Sequence, residues 1–279
     1  MQISFCNSND KGYQAKLNHF LKPIFFDFQF WYDLNLWDNN YESYSIMKDD
    51  KIVSNICLYK AKIQFKGVVY DALSVGAVAT KAEYRDKGYA RVLMEHILNK
   101  YPDTPMYLSA NDSVVDFYPK FGFERVYEKL PVLDMKIDNQ IAPNKLRFDN
   151  PKIWDYLMNK RIFSQQLDCL NTASINLFHI YLGYLKDLLY EIPELDMLII
   201  AEKNGPVLKL IAIFSGMQVS CSDLAKHLPF DKIERIEFGF IPDHLCDNYR
   251  FEEYKTDPLF VRNIKCDLGD FKYPDISIT

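Results

Sequence analysis

The chain has 279 residues, and its six cysteines (Cys6, Cys57, Cys169, Cys221, Cys246 and Cys266) lie far apart, without a CxxC pair or a Cys/His spacing that suits a metal. Reduced, buried or idle thiols are the expectation. The histidines His19, His96, His179, His227 and His244 share no spacing with Cys, Asp or Glu, so metal catalysis has no support. Also missing is any apolar run near the roughly 18 residues of a membrane span. The first residues, "MQISFCNSNDKG", lack the basic start and apolar core of a secretory signal. A cytoplasmic protein with no membrane partner is expected. Formal net charge is -5, and neither half carries the basic excess of a nucleic-acid binder, so none is expected as a partner. No segment is of low complexity. Hydrophobic residues at 48% and charged residues at 25% match folded globular protein throughout.

The length suggests two domains of roughly 140 residues each. After the alternating "MQISFC", the stretch to Trp37 reads as a helix, a break at Pro23 and a second, aromatic helical stretch. "YSIMKDDKIVSNICLYKAKIQFKGVVYDALSVGAVAT" then reads as three antiparallel strands, reversing at Asp49-Asp50-Lys51 and at Lys66-Gly67 and ending near Thr80. Residues 89 to 100 place Ala90, Leu93, Met94, Ile97 and Leu98 on one helical face, and "MYLSA" follows as a strand. Strand, helix, strand in this order favours a parallel pair joined by a crossover, hence an α/β first half with a mixed sheet. "NQIAPNKLRFDNP" has turn residues and no periodicity, and sets the expected boundary between domains at 1–140 and 151–279. The second half reads as a helix over "IWDYLMNKRIFSQQL", a hairpin turning at Asn204-Gly205, a short capped helix at "SDLAKHL" and a strand at "KIERIEFGFIP". This loosely repeats the order of the first.

One turn is informative. In Arg85-Asp86-Lys87-Gly88-Tyr89-Ala90 a strand-ending loop runs into a helix, whose first N–H groups have no internal partner and whose dipole is positive. Such an end binds anions, phosphates above all. Gly88 admits close approach, Ala90 keeps the way open, and Arg85 and Lys87 add charge. The spacing is too short for a P-loop and lacks the three glycines of a dinucleotide fingerprint. A plain helix start with a solvated basic face has the same local sequence.

The wider context resembles the GCN5-related N-acetyltransferase (GNAT) family, whose hallmark (Arg/Gln)-x-x-Gly-x-(Gly/Ala) is matched by Arg85, Gly88 and Ala90. The family's second motif, Asn then Tyr then Gly-Phe, is matched by Asn111, Tyr118 and Gly122-Phe123. The stretch from Tyr59 to Gly88 is similar to the enhanced-intracellular-survival subgroup, which adds a second, degenerate GNAT-like domain. The resemblance implies an acyl-CoA N-acyltransferase fold with such a second domain, lacking the phosphate turn, over 151–279. It implies acetyl-CoA as acyl donor, with Val78 and Thr80 pairing to pantetheine through the backbone and Arg85, Asp86, Lys87, Gly88, Tyr89 and Ala90 holding the pyrophosphate. The acceptor would be a primary amine of a small molecule or peptide, attacking the thioester directly, and Tyr118 would be the general acid.

Alternatives stand beside these expectations. Tyr118 is also one more aromatic able to pack on the sheet, and Asn111 either bonds the cofactor or caps a helix. Phe25, Phe28, Trp31 and Trp37 either line an acceptor pocket or belong to the core. The general base is unassigned, since "DALSVGAVAT" offers no carboxylate beyond Asp71. In the similar subgroup the C-terminal carboxylate serves, which here would be Thr279, although that subgroup carries a third domain for which this length leaves no room. The second domain completes the acceptor pocket, mediates a homodimer or is vestigial. A CoA-binding regulatory module without chemistry is the competing function, and an aminoacyl-tRNA-dependent transferase ranks last for want of a basic surface.

Overall fold

The structure is a computed structural model that describes residues 2–6, 10–159, 164–264 and 267–279. The chain begins with β1 (Ile3–Cys6), α1 (Lys11–Leu21) and the single turn α2 (Gln29–Asp33). Asp10 caps α1 by accepting from the Tyr13 N–H at 3.0 Å. Three long strands follow, β2 (Tyr41–Lys48), β3 (Lys51–Phe65) and β4 (Val68–Thr80). Their tight reversals need positive φ, which Asp49, Asp50, Lys66 and Gly67 adopt. Next come α3 (Tyr89–Lys100), β5 (Met106–Ser109), β6 (Glu124–Val126) and β7 (Lys129–Ile137). The remainder comprises α4 (Pro151–Asn159), β8 (Leu167–Cys169), α5 (Ala173–Leu182), β9 (Leu189–Ile192), β10 (Met197–Asn204), β11 (Val207–Ser215), α6 (Cys221–His227), β12 (Ile233–Phe238), β13 (Arg250–Glu253) and β14 (Leu259–Arg262).

Two mixed sheets result. The first runs β1-β2-β3-β4-β5-β14-β6, with β8 also on β3, and the second runs β13-β7-β12-β11-β10-β9. The meander, the parallel β4–β5 pair, the hairpin at Asn204-Gly205 and the Ser220-capped α6 stand where the sequence puts them. The helix expected from Ile153 ends at Asn159 among the described residues, and its stretch over 160–163 lies outside them. The aromatic helical stretch before Trp37 shrinks to α2, held between the turns that flank it. The chain crosses between the sheets on both sides of the loop at 139–151. β7 joins the second sheet, whereas β8 and β14 join the first.

Alternation along β2, β3 and β4 divides their side chains between two cores. Leu93, Met94 and Ile97 of α3 pack with Tyr44, Ile56, Leu73, Val75 and Leu108 on one face. Each such fully buried side chain contributes roughly 1.5–3 kcal/mol. The opposite face packs on α1, α2, α4 and α5. α6 covers the second sheet through Leu224 and Leu228.

Candidate active site

β4 and β5 are paired only at Leu73–Met106 and Ser74–Tyr107. Beyond that point β4 continues to Thr80 without pairing to β5, whose other edge pairs with β14 over Met106–Ser109, so a gap opens between two parallel strands. β4 is also bulged. Asn55 of β3 pairs with Ala79 and Cys57 with Gly76, so Ile56 faces two residues, Ala77 and Val78. Ala77 takes φ of 48°, unusual for a residue with a Cβ. Thr80 is held at the strand end, its hydroxyl 2.8 Å from that of Ser54. Val78 packs against the α3 core.

The chain then makes one 3-10 turn (Ala82–Tyr84) and reaches α3 through Asp86 (φ 59°) and Gly88 (φ 76°). Gly88 is the N-cap, and no side chain caps the helix. The first N–H groups of α3, from Tyr89 and Ala90 onward, are therefore open to an anion. Arg85, Asp86, Lys87 and Gly88 are all exposed around them. Lys87 lies 4.9 Å over the Tyr84 ring and donates to the Glu83 carbonyl, and Arg85 Nε donates to the Thr80 carbonyl at 3.4 Å. A cleft of about 300 Å³ adjoins the turn, lined by Phe20, Pro23, Ile24, Thr80, Glu83 and Arg85 among others. The geometry suits a diphosphate on the turn and an extended arm along β4.

Asn111 follows β5 and caps the next 3-10 turn, accepting from the N–H and the hydroxyl of Ser113. Tyr118 is buried at 5% exposure, ringed by Phe117, Phe123 and Phe260 with centroids 5.3 to 6.0 Å away. Burial pushes its hydroxyl up to about 12. Phe260 comes from β14, more than a hundred residues away, and no local signal in the sequence announces it.

The early aromatics divide. Phe28, Trp31 and Trp37 are buried, and Phe28 and Trp31 pack on Phe178 of α5 at 5.5 and 5.1 Å. Phe25 is exposed. On the same face, Thr279 reaches β4. Its hydroxyl lies 2.5 Å from that of Ser74, and its main-chain carbonyl carbon is 3.5 Å from where a Cβ on Gly76 would stand. His179 Nε2 faces the Ile278 carbonyl at 2.7 Å. Burial lowers the His179 pKa, which keeps the ring neutral with its proton on Nε2, the nitrogen that donates to that carbonyl. Among the described residues no group of His, Cys, Asp or Glu suits a metal ion. Among the same residues, no helix is long and apolar enough to cross a membrane.

Comparison with known proteins bears on this geometry. Residues 16–126 match the family model described as an acetyltransferase (GNAT) domain. No curated protein matches the chain in sequence. Among solved structures, a conserved protein of Enterococcus faecalis V583 is similar, with a TM-score of 0.59, 13% identity and coverage of 94% of this chain and 72% of its own. Eis1 of Mycobacterium abscessus has a TM-score of 0.57 at 11% identity, with the same coverage. A GCN5-related N-acetyltransferase of Anabaena variabilis ATCC 29413 has 0.56 at 14%, covering 95% of this chain and 73% of its own. These likenesses extend over both sheets and establish the fold. Residues 16–126, which include the bulged and splayed β4 and the uncapped turn at α3, are the part of the chain that matches the acetyltransferase (GNAT) domain.

Proposed function

We propose that the protein transfers an acetyl group from acetyl-CoA to a primary amine of a small molecule or peptide by direct attack. The observation that carries this reading is the gap between β4 and β5, which leads along Val78 and Thr80 to the open N–H groups of α3. The turn from Arg85 to Ala90 would take the pyrophosphate, and the free backbone edge of β4 would pair with pantetheine as an added strand does. The thioester would then lie near the bulge. The neutral amine attacks its carbonyl carbon, the C–N bond forms, and the C–S bond breaks as the oxyanion collapses.

Tyr118 supplies the proton for the leaving sulfur. Its raised pKa keeps the hydroxyl protonated at neutral pH, so it hydrogen-bonds the sulfur first and yields the proton only as the C–S bond breaks. The proton lost by the amine leaves through a water relay, and no side chain is assigned as its base. Asn111 serves the turn that precedes Tyr118, and Phe28 and Trp31 form the wall behind the acceptor side. The sheet of β9 to β13 acts as a support for that wall, with no phosphate turn of its own.

Thiol release from acetyl-CoA, measured against a panel of amines and peptides, tests this. Tyr118→Phe is expected to lower kcat by about 10²–10⁴-fold with acetyl-CoA affinity retained. Acetyl-CoA binding without thiol release to any amine would instead favour a CoA-binding regulatory module.

A further inference from the structure

We propose that Asn55 is the positioning residue that holds the β4 bulge so that the Val78 N–H meets the thioester carbonyl. This rests on the acetyltransferase reading and names a residue that neither the phosphate turn nor the Asn-Tyr motif includes. The Asn55 side chain is fully buried in β3, under α1. Its Nδ2 donates to the Ala77 carbonyl at 3.2 Å and to Cys57 Sγ at 3.1 Å. Its Oδ1 accepts from the hydroxyls of Ser43 and Ser45 at 2.7 and 2.9 Å. Both hydroxyls also lie within 2.9 Å of the Tyr13 hydroxyl.

Every hydrogen bond an amide side chain can make is thus used. The orientation is also fixed, because swapping oxygen and nitrogen would set Oδ1 against the Ala77 carbonyl. That carbonyl belongs to the bulge residue with φ of 48°, a conformation that strains an alanine and persists only where its surroundings enforce it. Planarity does the rest. In a trans peptide the C=O and N–H point in opposite directions, so a 77–78 carbonyl drawn towards β3 sends the Val78 N–H away from β3, on the side of the gap to β5. An N–H fixed in advance at that point stabilises the oxyanion with no reorganisation during the reaction. Serine and tyrosine hydroxyls behind Asn55 keep its own orientation from drifting.

The test compares the intact chain with Asn55→Leu, which keeps the side chain's shape and removes its hydrogen bonds. Three quantities are read: calorimetric affinity for CoA and for acetyl-CoA, the infrared stretch of the thioester carbonyl in carbonyl-13C acetyl-CoA, and the split of kcat from KM. The wild type is expected to prefer acetyl-CoA over CoA and to shift the carbonyl stretch to lower frequency. Asn55→Leu should keep CoA affinity, lose the preference and the shift, and lower kcat by about 10²–10³-fold with KM for the amine unchanged. A folded Asn55→Leu protein that retains the shift and kcat would overturn the proposal. Should that variant fail to fold, the same comparison is made in an Ala77→Gly background, where a positive φ carries no strain. A wild type that binds neither CoA nor acetyl-CoA would instead remove the acetyltransferase reading itself, and this inference with it.

Discussion

Tyr118 sits among three phenylalanine rings, and burial raises its pKa from 10 to about 12. The sign matters for the pH profile. A raised pKa means that the proton stays on as pH climbs, so the acid form required for catalysis persists until pH approaches 12. The kcat profile is therefore expected to show no fall near pH 10 from this group, whereas an ordinary tyrosine would begin to ionise there. A stopped assay of kcat from pH 7 to pH 11 checks it, and a fall centred on pH 10 would point to a different, more exposed acid. Gly88 gives a second expectation at this scale. Nothing lies within 4 Å of the position a Cβ would take, yet φ is 76°. Gly88→Ala is thus expected to cost about 1–2 kcal/mol through backbone strain alone, read by urea unfolding. A cost well above that would mean that the turn is crowded.

Among the elements, β2, β3 and α3 are fastened by one buried carboxylate. Glu42 accepts from the hydroxyls of Tyr44 and Tyr101 at 2.6 and 2.8 Å, and pairs with Lys60 at 2.8 Å and Lys100 at 3.6 Å. Burial on its own would raise the Glu42 pKa, but the hydrogen bonds from Lys60, Tyr44 and Tyr101 and the Lys100 charge more than offset it, and the pKa is lowered. A carboxylate lowered by folding contributes stability above its unfolded pKa and loses it as pH falls through the folded one. Glu42→Gln is therefore expected to be less stable at neutral pH and to show a shallower loss of stability below about pH 4.3. Unfolding curves from pH 7 to pH 3 measure this, and parallel pH dependence in the two proteins would refute it.

At the same scale it is plain which parts were legible. The meander was readable because turn residues and period-two alternation act locally, and α3 because its apolar positions recur on one face. α5 was not. Ser174, Ile175, Asn176, Leu177 and Ile180 are buried all round it, so it carries no amphipathic stripe. β14 was missed for another reason, since its place is set by the edge of β5 that β4 leaves unpaired. β7 is apolar enough to lie in either sheet, and only tertiary pairing sends it to the second. In the candidate site the Arg-Gly-Ala turn and Tyr118 stood out by spacing, while Asn55 did not, because its role depends on a bulge that only strand register reveals.

For the molecule as a whole, the last stretch of chain ties the two sheets to the site. Lys272, buried at 2% exposure, pairs with Glu128 at 2.9 Å and Asp275 at 2.6 Å, and Asp275 also meets Lys209 of β11 at 3.2 Å. From there the chain passes α5, with the Ser277 hydroxyl 3.2 Å from that of Thr172, and reaches Gly76. Lys272→Met would leave the buried Glu128 carboxylate without its cation, while Asp275 keeps Lys209, so a loss of about 3–5 kcal/mol is expected in urea unfolding. A change under about 1 kcal/mol would show that the tail is not fastened there.

The central claim is that the turn at the head of α3 cradles the pyrophosphate of acetyl-CoA. It is tested most directly by calorimetric titration of the wild type and of an Arg85→Ala, Lys87→Ala double variant with acetyl-CoA. Binding in the wild type that weakens at least about 10-fold in the variant is the expected result, since each hydrogen bond from a charged side chain to a phosphate oxygen is worth roughly 1.5–3 kcal/mol. No binding in the wild type, or equal binding in the two proteins, would contradict it.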